Sequence, residues 1–252
     1  MSNNTSFSQR LAAQSGQLKI GIIGAMDEEV ELLSQTLEGC QEHTIAGYTL
    51  FTGTMHGVDV VLLKSGIGKV NAAIGTTLML QEFEPTCVIN TGSAGGFAED
   101  LNVGDVVIST EVRHHDVDVT IFGYEPGQVP GLPAGFTPDN FLADVAERCI
   151  ARMEGIKTVQ GLIATGDSFM NCPERVAKTR ENFPSMKAVE MEAAAIAQTC
   201  HQFDIPFIVI RALSDIAGKE SNLSFEQFLV VAAKHSAEMV MAIVQTISDE
   251  AA

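Results

Sequence analysis

Phe207-Ile208-Val209-Ile210-Arg211-Ala212-Leu213-Ser214-Asp215 is an apolar run that breaks abruptly into arginine, serine and aspartate. A short β-branched run without polar alternation reads as a strand buried on both faces, and such strands belong to sheets covered by helices. Ligands of those sheets gather at the carboxyl ends of the strands, so an acid in that position is a candidate for chemistry. Upstream, Ala188-Val189-Glu190-Met191-Glu192 also closes a hydrophobic stretch on carboxylates, and Asp27-Glu28-Glu29 follows the run Lys19-Ile20-Gly21-Ile22-Ile23-Gly24-Ala25-Met26. Three distant segments therefore offer acids in the same setting.

Outward from these, β-branched runs at 18–23, 58–64, 87–90, 105–109, 161–164, 187–190 and 207–210 alternate with helical patterns at 29–37, 70–83, 140–153 and 192–202. That alternation predicts an α/β fold with a mainly parallel or mixed sheet flanked by helices. A last helix is predicted from Phe225, capped by Ser224 with Gln227 three residues on, and ending near Ile247 before a frayed acidic tail at 249–252. The stretch 122–138 carries Pro126, Pro130, Pro133 and Pro138 among glycines, too short for an interdomain linker and suited to a lid or a contact arm.

The 252 residues, 46% of them hydrophobic, suffice for one large domain. We take residues 1–17, rich in Ser, Asn and Gln, as a flexible lead-in and 18–248 as a single domain. A net charge of -17 disfavours nucleic acid and anionic membrane surfaces as partners. Five scattered cysteines without a C-x-x-C pair suit reduced thiols in a cytoplasmic protein. The chain nowhere carries the ~18 unbroken apolar residues of a membrane span.

The glycine clusters do not fit nucleotide motifs. Gly21-Ile22-Ile23-Gly24 is not G-x-G-x-x-G, and Gly66-Ile67-Gly68-Lys69-Val70 lacks the distal glycine and the Ser/Thr after lysine of a P-loop. His114-His115-Asp116-Val117-Asp118 is a weak metal signal, since polar residues on a strand or loop face are usually just hydrated. Glu190 and Glu192 admit two readings: a strand would align them on one site, while a helix would turn them apart as first-turn acids favoured by its dipole. Asp215 reads equally as the N-cap of a following helix, and Glu29 as an exposed acid at a helix start.

Taken together, the strings KIGIIGAMDEE (19–29), SGIGK (65–69), NTGSAGG (90–96), HDVDVTIFGY (115–124), GDSFMN (166–171), VEMEA (189–193) and RALSD (211–215) resemble the 5'-methylthioadenosine/S-adenosylhomocysteine nucleosidases of the nucleoside phosphorylase superfamily, nearly end to end. The resemblance implies a single domain with a central mixed β-sheet and hydrolysis of both nucleosides to adenine and the thioribose, with no metal and no organic cofactor. It implies that Asp215 donates a proton to adenine N7 and Glu29 activates water. Glu192 would hold the ribose hydroxyls beside Met191, while Ser93 and Arg211 fix the water and the acids. Phe169 would stack on adenine, with the Met170 backbone reading its edge. Met26, Ile67 and Phe225 would line the sugar and alkylthio end, which in this family is closed by an arm from the second subunit of a homodimer. Val119, Phe122 and Pro130 stand at the matching positions.

The chemistry calls for such a set. Adenine leaves badly as an anion, so the C1'-N9 bond needs a proton donor, and an aspartate with an ordinary pKa of about 3.9 would be ionised at neutral pH. The oxocarbenium-like ribose calls for a nearby carboxylate, and the attacking water for a base, as in an inverting glycosidase. Three carboxylates at 27–29 would repel a phosphate dianion, so water is the expected nucleophile over the phosphate of a related phosphorylase. A silent nucleoside-binding module would have little use for both a proton donor and a water-activating base.

Overall fold

A computed structural model describes residues 5–14, 17–98, 100–153, 155–217 and 221–251. The elements run α1 (Phe7–Ala13), β1 (Lys19–Gly24), α2 (Asp27–Thr36), β2 (Glu38–Ile45), β3 (Tyr48–Met55), β4 (Val58–Lys64), α3 (Lys69–Phe83), β5 (Cys87–Asn90), β6 (Ser93–Gly96), β7 (Val106–His114), α4 (Asn140–Ile150), β8 (Thr158–Thr165), α5 (Pro173–Asn182), β9 (Met186–Glu190), α6 (Ala193–Gln202), β10 (Phe207–Ile216) and α7 (Ser221–Ala251). The strands form one mixed sheet in the order β2-β3-β4-β1-β5-β10-β6-β9-β8-β7, and β7 pairs back onto β10, so the second half closes on itself. The expected α/β architecture is what forms.

The continuous apolar runs are explained by burial on both faces. Along β1, β4 and β10 the side chains alternate between two cores: Ile20, Ile22, Val60, Leu62, Ile208 and Ile210 pack with α2, α4 and α7, while Ile23, Val61, Leu63 and Val209 pack with α3 and α6. β10 is longer than its apolar run because it changes partners along its length. Phe207 to Val209 pair with β5, Ile210 to Ala212 with β7, and Ala212 to Ile216 with β6. The register slips between Leu213 and Asp215, a bulge of the kind that re-aims a side chain beside an active site.

Three expectations need correction. Within residues 1–17, α1 is a helix with a Ser6–Gln9 capping box. It is fastened by Phe7, which is buried and stacks on Phe141 at 4.8 Å, and by the Thr5 N–H donating to Asp204. α7 starts at Ser221, so Ser224 lies inside the first turn and the Ser224–Gln227 box does not begin the helix. Nor does α7 fray after Ile247: it continues to Ala251, with Glu250 in a two-bond pair to Arg148 on α4. Among the described residues α7 holds the one segment long and apolar enough to cross a membrane, Gln227–Glu250. Met239, Val240, Ile243, Val244 and Ile247 on it are fully buried in the first core.

Candidate active site

The loops leaving β1, β4, β5, β8 and β9 and the distal half of β10 all reach one cavity of about 200 Å3 at the carboxyl side of the parallel strands. Glu29, Glu192 and Asp215, from three distant segments, line it together. Ser93, Met26, Ile67, Met191, Phe169 and Phe225 complete most of its wall.

Glu29 is buried, not an exposed helix-start acid. The turn from β1 into α2 aims its carboxylate back at the backbone, so that one oxygen accepts from the N–H of Ala25 (2.7 Å) and Met26 (3.3 Å). The other accepts from the N–H and hydroxyl of Ser93, at 2.9 and 3.0 Å. Gly92, at φ +144°, precedes Ser93, and a Cβ there would strike both the Arg211 guanidinium and the Glu29 carboxylate. Only glycine lets the chain pass between them.

Asp215 is a strand residue past the bulge, not a helix N-cap. It is 3% exposed, and its one hydrogen bond to a side chain comes from the Ser214 hydroxyl at 3.0 Å. Burial pushes its carboxyl up to about 6, against the smaller pull of Ser214.

Glu190 and Glu192 divide the two readings between them. Glu190 ends β9 and turns its carboxylate under α6, accepting from the N–H of Glu192 (2.9 Å) and Ala193 (2.7 Å) and from the Thr165 hydroxyl. It is the acid at the helix start. Glu192 sits at the N-cap position and accepts from the Gly68 N–H at 3.0 Å. Burial, and next the charge of Glu190, push Glu192 up to about 8, opposed by Arg211 at 3.7 Å and by the Gly68 N–H.

Arg211 is 1% exposed and is pinned by Glu190 (2.6 Å) and Asn90 Oδ1 (2.9 Å). A buried cation needs such a countercharge. The contact that sequence reasoning missed is therefore the Arg211–Glu190 pair, and Glu190 also lines the cavity. Its signal was present in the lone arginine at the end of the buried run of β10.

Phe169 meets Phe225 edge-on, with ring centres 5.8 Å apart. A small recess of about 30 Å3 between Phe169, Met170, Val189 and Asp215 adjoins the main cavity. Pro173 is the first residue of α5, where its fixed φ suits a helix start, so the Cys172-Pro173 step ends the Phe169 loop in an ordinary way. Val119, Phe122 and Pro130 do not line this cavity; Phe122 is 77% exposed. The histidine-rich segment disperses: His114 pairs with Gln198, Asp116 with Lys69, and Asp118 caps Thr120. Among the described residues no group of three metal-ligating side chains is assembled.

The phosphorylase superfamily model matches residues 19–245. A 5'-methylthioadenosine/S-adenosylhomocysteine nucleosidase of Geobacillus kaustophilus (strain HTA426) is 61% identical over 233 residues, which is 92% of this chain and 99% of that protein. The Neisseria meningitidis enzyme of the same name, solved in complex with methylthio-immucillin-A, superposes with a TM-score of 0.89 at 51% identity, covering 90% of this chain and 99% of that one. The Colwellia psychrerythraea 34H nucleosidase, in complex with adenine, gives 0.89 at 52% identity over 90% and 95% of the two chains.

Proposed function

The chain belongs to the 5'-methylthioadenosine/S-adenosylhomocysteine nucleosidases of the phosphorylase superfamily; it hydrolyses the N-glycosidic bond of both nucleosides to adenine and the corresponding thioribose, and we propose that its three pocket carboxylates divide the work. The observation that carries this division is the convergence of Glu29, Glu192 and Asp215 on one cavity.

In this reading Asp215, held partly protonated by burial, passes its proton to adenine N7, so the base departs neutral. Phe169 stacks on the purine, with the Met170 backbone at its edge. Glu192 accepts from the ribose hydroxyls beside Met191. Those hydroxyls and the positive charge growing on the ribose favour its ionised form, countering the burial that raises it in the free site. Glu29, oriented by Ser93 and the Ala25 and Met26 amides, takes a proton from the water that attacks the opposite face. Arg211 acts indirectly, by holding Glu190 at the end of β9, two residues before Glu192.

Hydrolysis over phosphorolysis has a specific support. Arg211, which approaches Gly92 as Glu29 does, is already committed to Glu190 and Asn90 and is not free to take a phosphate dianion. The test is adenine release from both nucleosides with and without phosphate. The expected rate is indifferent to phosphate and the co-product is free thioribose; a phosphate requirement with a sugar 1-phosphate product contradicts it.

The outer wall fits a homodimer. A cavity of about 200 Å3 is smaller than the ~300 Å3 lower end of small-molecule sites, and its rim residue Ile67 is half exposed beside the exposed Val70 and Ile74 of α3. We assign the missing wall to Val119, Phe122 and Pro130 of a second copy, each arm closing the other's pocket. Phe122→Ala is expected to weaken binding of 5'-alkylthio nucleosides roughly tenfold, the scale of deleting an aromatic anchor at an interface. Unchanged affinity in a purified dimer refutes the arm. The five cysteines are free, with Cys87, Cys149 and Cys200 buried, which supports a reducing, cytoplasmic setting.

A further inference from the structure

Two loops contribute to the pocket wall: 65–69 brings Ile67 and the Gly68 N–H, and 166–170 brings Phe169. Two carboxylates fasten these loops to each other. Asp116, two residues beyond β7, accepts from the Lys69 ammonium at 2.6 Å with one oxygen and from the Asp167 backbone N–H at 3.0 Å with the other. Asp167 in turn accepts from the Lys69 backbone N–H at 2.8 Å. The ring Asp116, Lys69, Asp167 is closed. Gly68, adjoining it, has φ +94°, and a Cβ there would come within 3.1 Å of the Asp167 carboxylate, so glycine supplies both the left-handed turn and the room. Burial opposes the charge on Asp116, yet the Lys69 ammonium and the Asp167 N–H hold its carboxyl below the usual aspartate range.

We propose that Asp116 is a positioning residue of the hydrolytic reaction: through Lys69 and Asp167 it clamps the Ile67–Gly68 loop to the Phe169 loop and so fixes the Gly68 N–H that aims Glu192 at the ribose. The proposal rests on Glu192 being the ribose acceptor. The Lys69–Asp116 pair is partly exposed, with side chains 21% and 30% accessible, and pairs of that kind add little to global stability. Its effect falls on geometry instead, where small misplacements of a catalytic group are costly.

The test is steady-state adenine release from methylthioadenosine together with thermal melting. Asp116→Ala and Lys69→Met are each expected to lower kcat/KM about tenfold, since a displacement of ~1 Å can cost more than that. The double variant should stay within about twofold of the worse single variant, because both break one ring. Lys69→Arg, which keeps the charge and the donors, should retain the rate within about threefold. A merely structural pair would lower the melting temperature and leave kcat/KM of the folded protein unchanged. Losses that multiply in the double variant, a Lys69→Arg as impaired as Lys69→Met, or singles within about twofold of wild type each overturn the clamp. Should Asp116→Ala fail to fold, Lys69→Met against Lys69→Arg decides alone. A wild-type protein that releases no adenine overturns the nucleosidase reading; an active one with indifferent variants overturns the clamp only.

Discussion

Asp215→Asn abolishes nearly all turnover and leaves adenine-nucleoside binding in place. The amide has the shape of the acid and can still meet the Ser214 hydroxyl, so the pocket persists while the transferable proton is gone. A general acid of this kind contributes ~100-fold to 10,000-fold, and the loss should fall in that range and almost wholly on kcat. The raised pKa adds a signature. An acid pushed up to about 6 by burial is protonated below that pH and ionised above it, so wild-type kcat/KM should fall as pH rises through and beyond 6, by about tenfold per unit. The residual rate of Asp215→Asn should lack that limb. A variant with near-normal turnover, or a wild type whose kcat/KM climbs from pH 6 to 8, removes Asp215 from the acid role.

Glu29→Gln has the second largest expected effect, again ~100-fold to 10,000-fold on kcat, because an amide cannot take a proton from water. It differs from Asp215→Asn in its cost to the fold. Both oxygens of Glu29 face donors, from Ala25 and Met26 on one side and Ser93 on the other, and glutamine sets an N–H against one of those groups. A buried unsatisfied donor costs about 1–3 kcal/mol, so the variant should also melt earlier. Lowered stability with near-wild-type kcat would make Glu29 a structural brace and would leave the water without its base.

The buried strands were legible because burial on both faces leaves a plain apolar run, as in β4 and β5, whose observed bounds Val58–Lys64 and Cys87–Asn90 match the expectation. β2 was not legible: Glu-Gly-Cys-Gln-Glu-His-Thr-Ile is an exposed edge whose register comes from pairing with β3, not from its own side chains. The extent of β10 was hidden for a related reason, since its polar half is a strand only because β6 and β7 flank it. The α7 start was misplaced because Ser224 and Gln227 imitate a cap from inside the helix. In the site, the acids announced themselves at the strand ends. Their distinct environments did not, because the Ser93 contact to Glu29, the bulge at Ser214 and the Gly68 contact to Glu192 join residues 64, 120 and 124 apart in sequence.

The proposed division of labour requires three carboxylates to act on a single purine riboside. A crystal structure of the protein with an unreactive methylthioadenosine analogue tests it most directly. The expected complex has Asp215 within hydrogen-bonding distance of N7, Glu192 on the ribose hydroxyls, and Glu29 on a water below C1', all around one ligand, with Phe122 of the partner subunit over its alkylthio group. A ligand seated in this cavity with Asp215 away from N7, or with Glu29 and Glu192 facing different molecules, contradicts it.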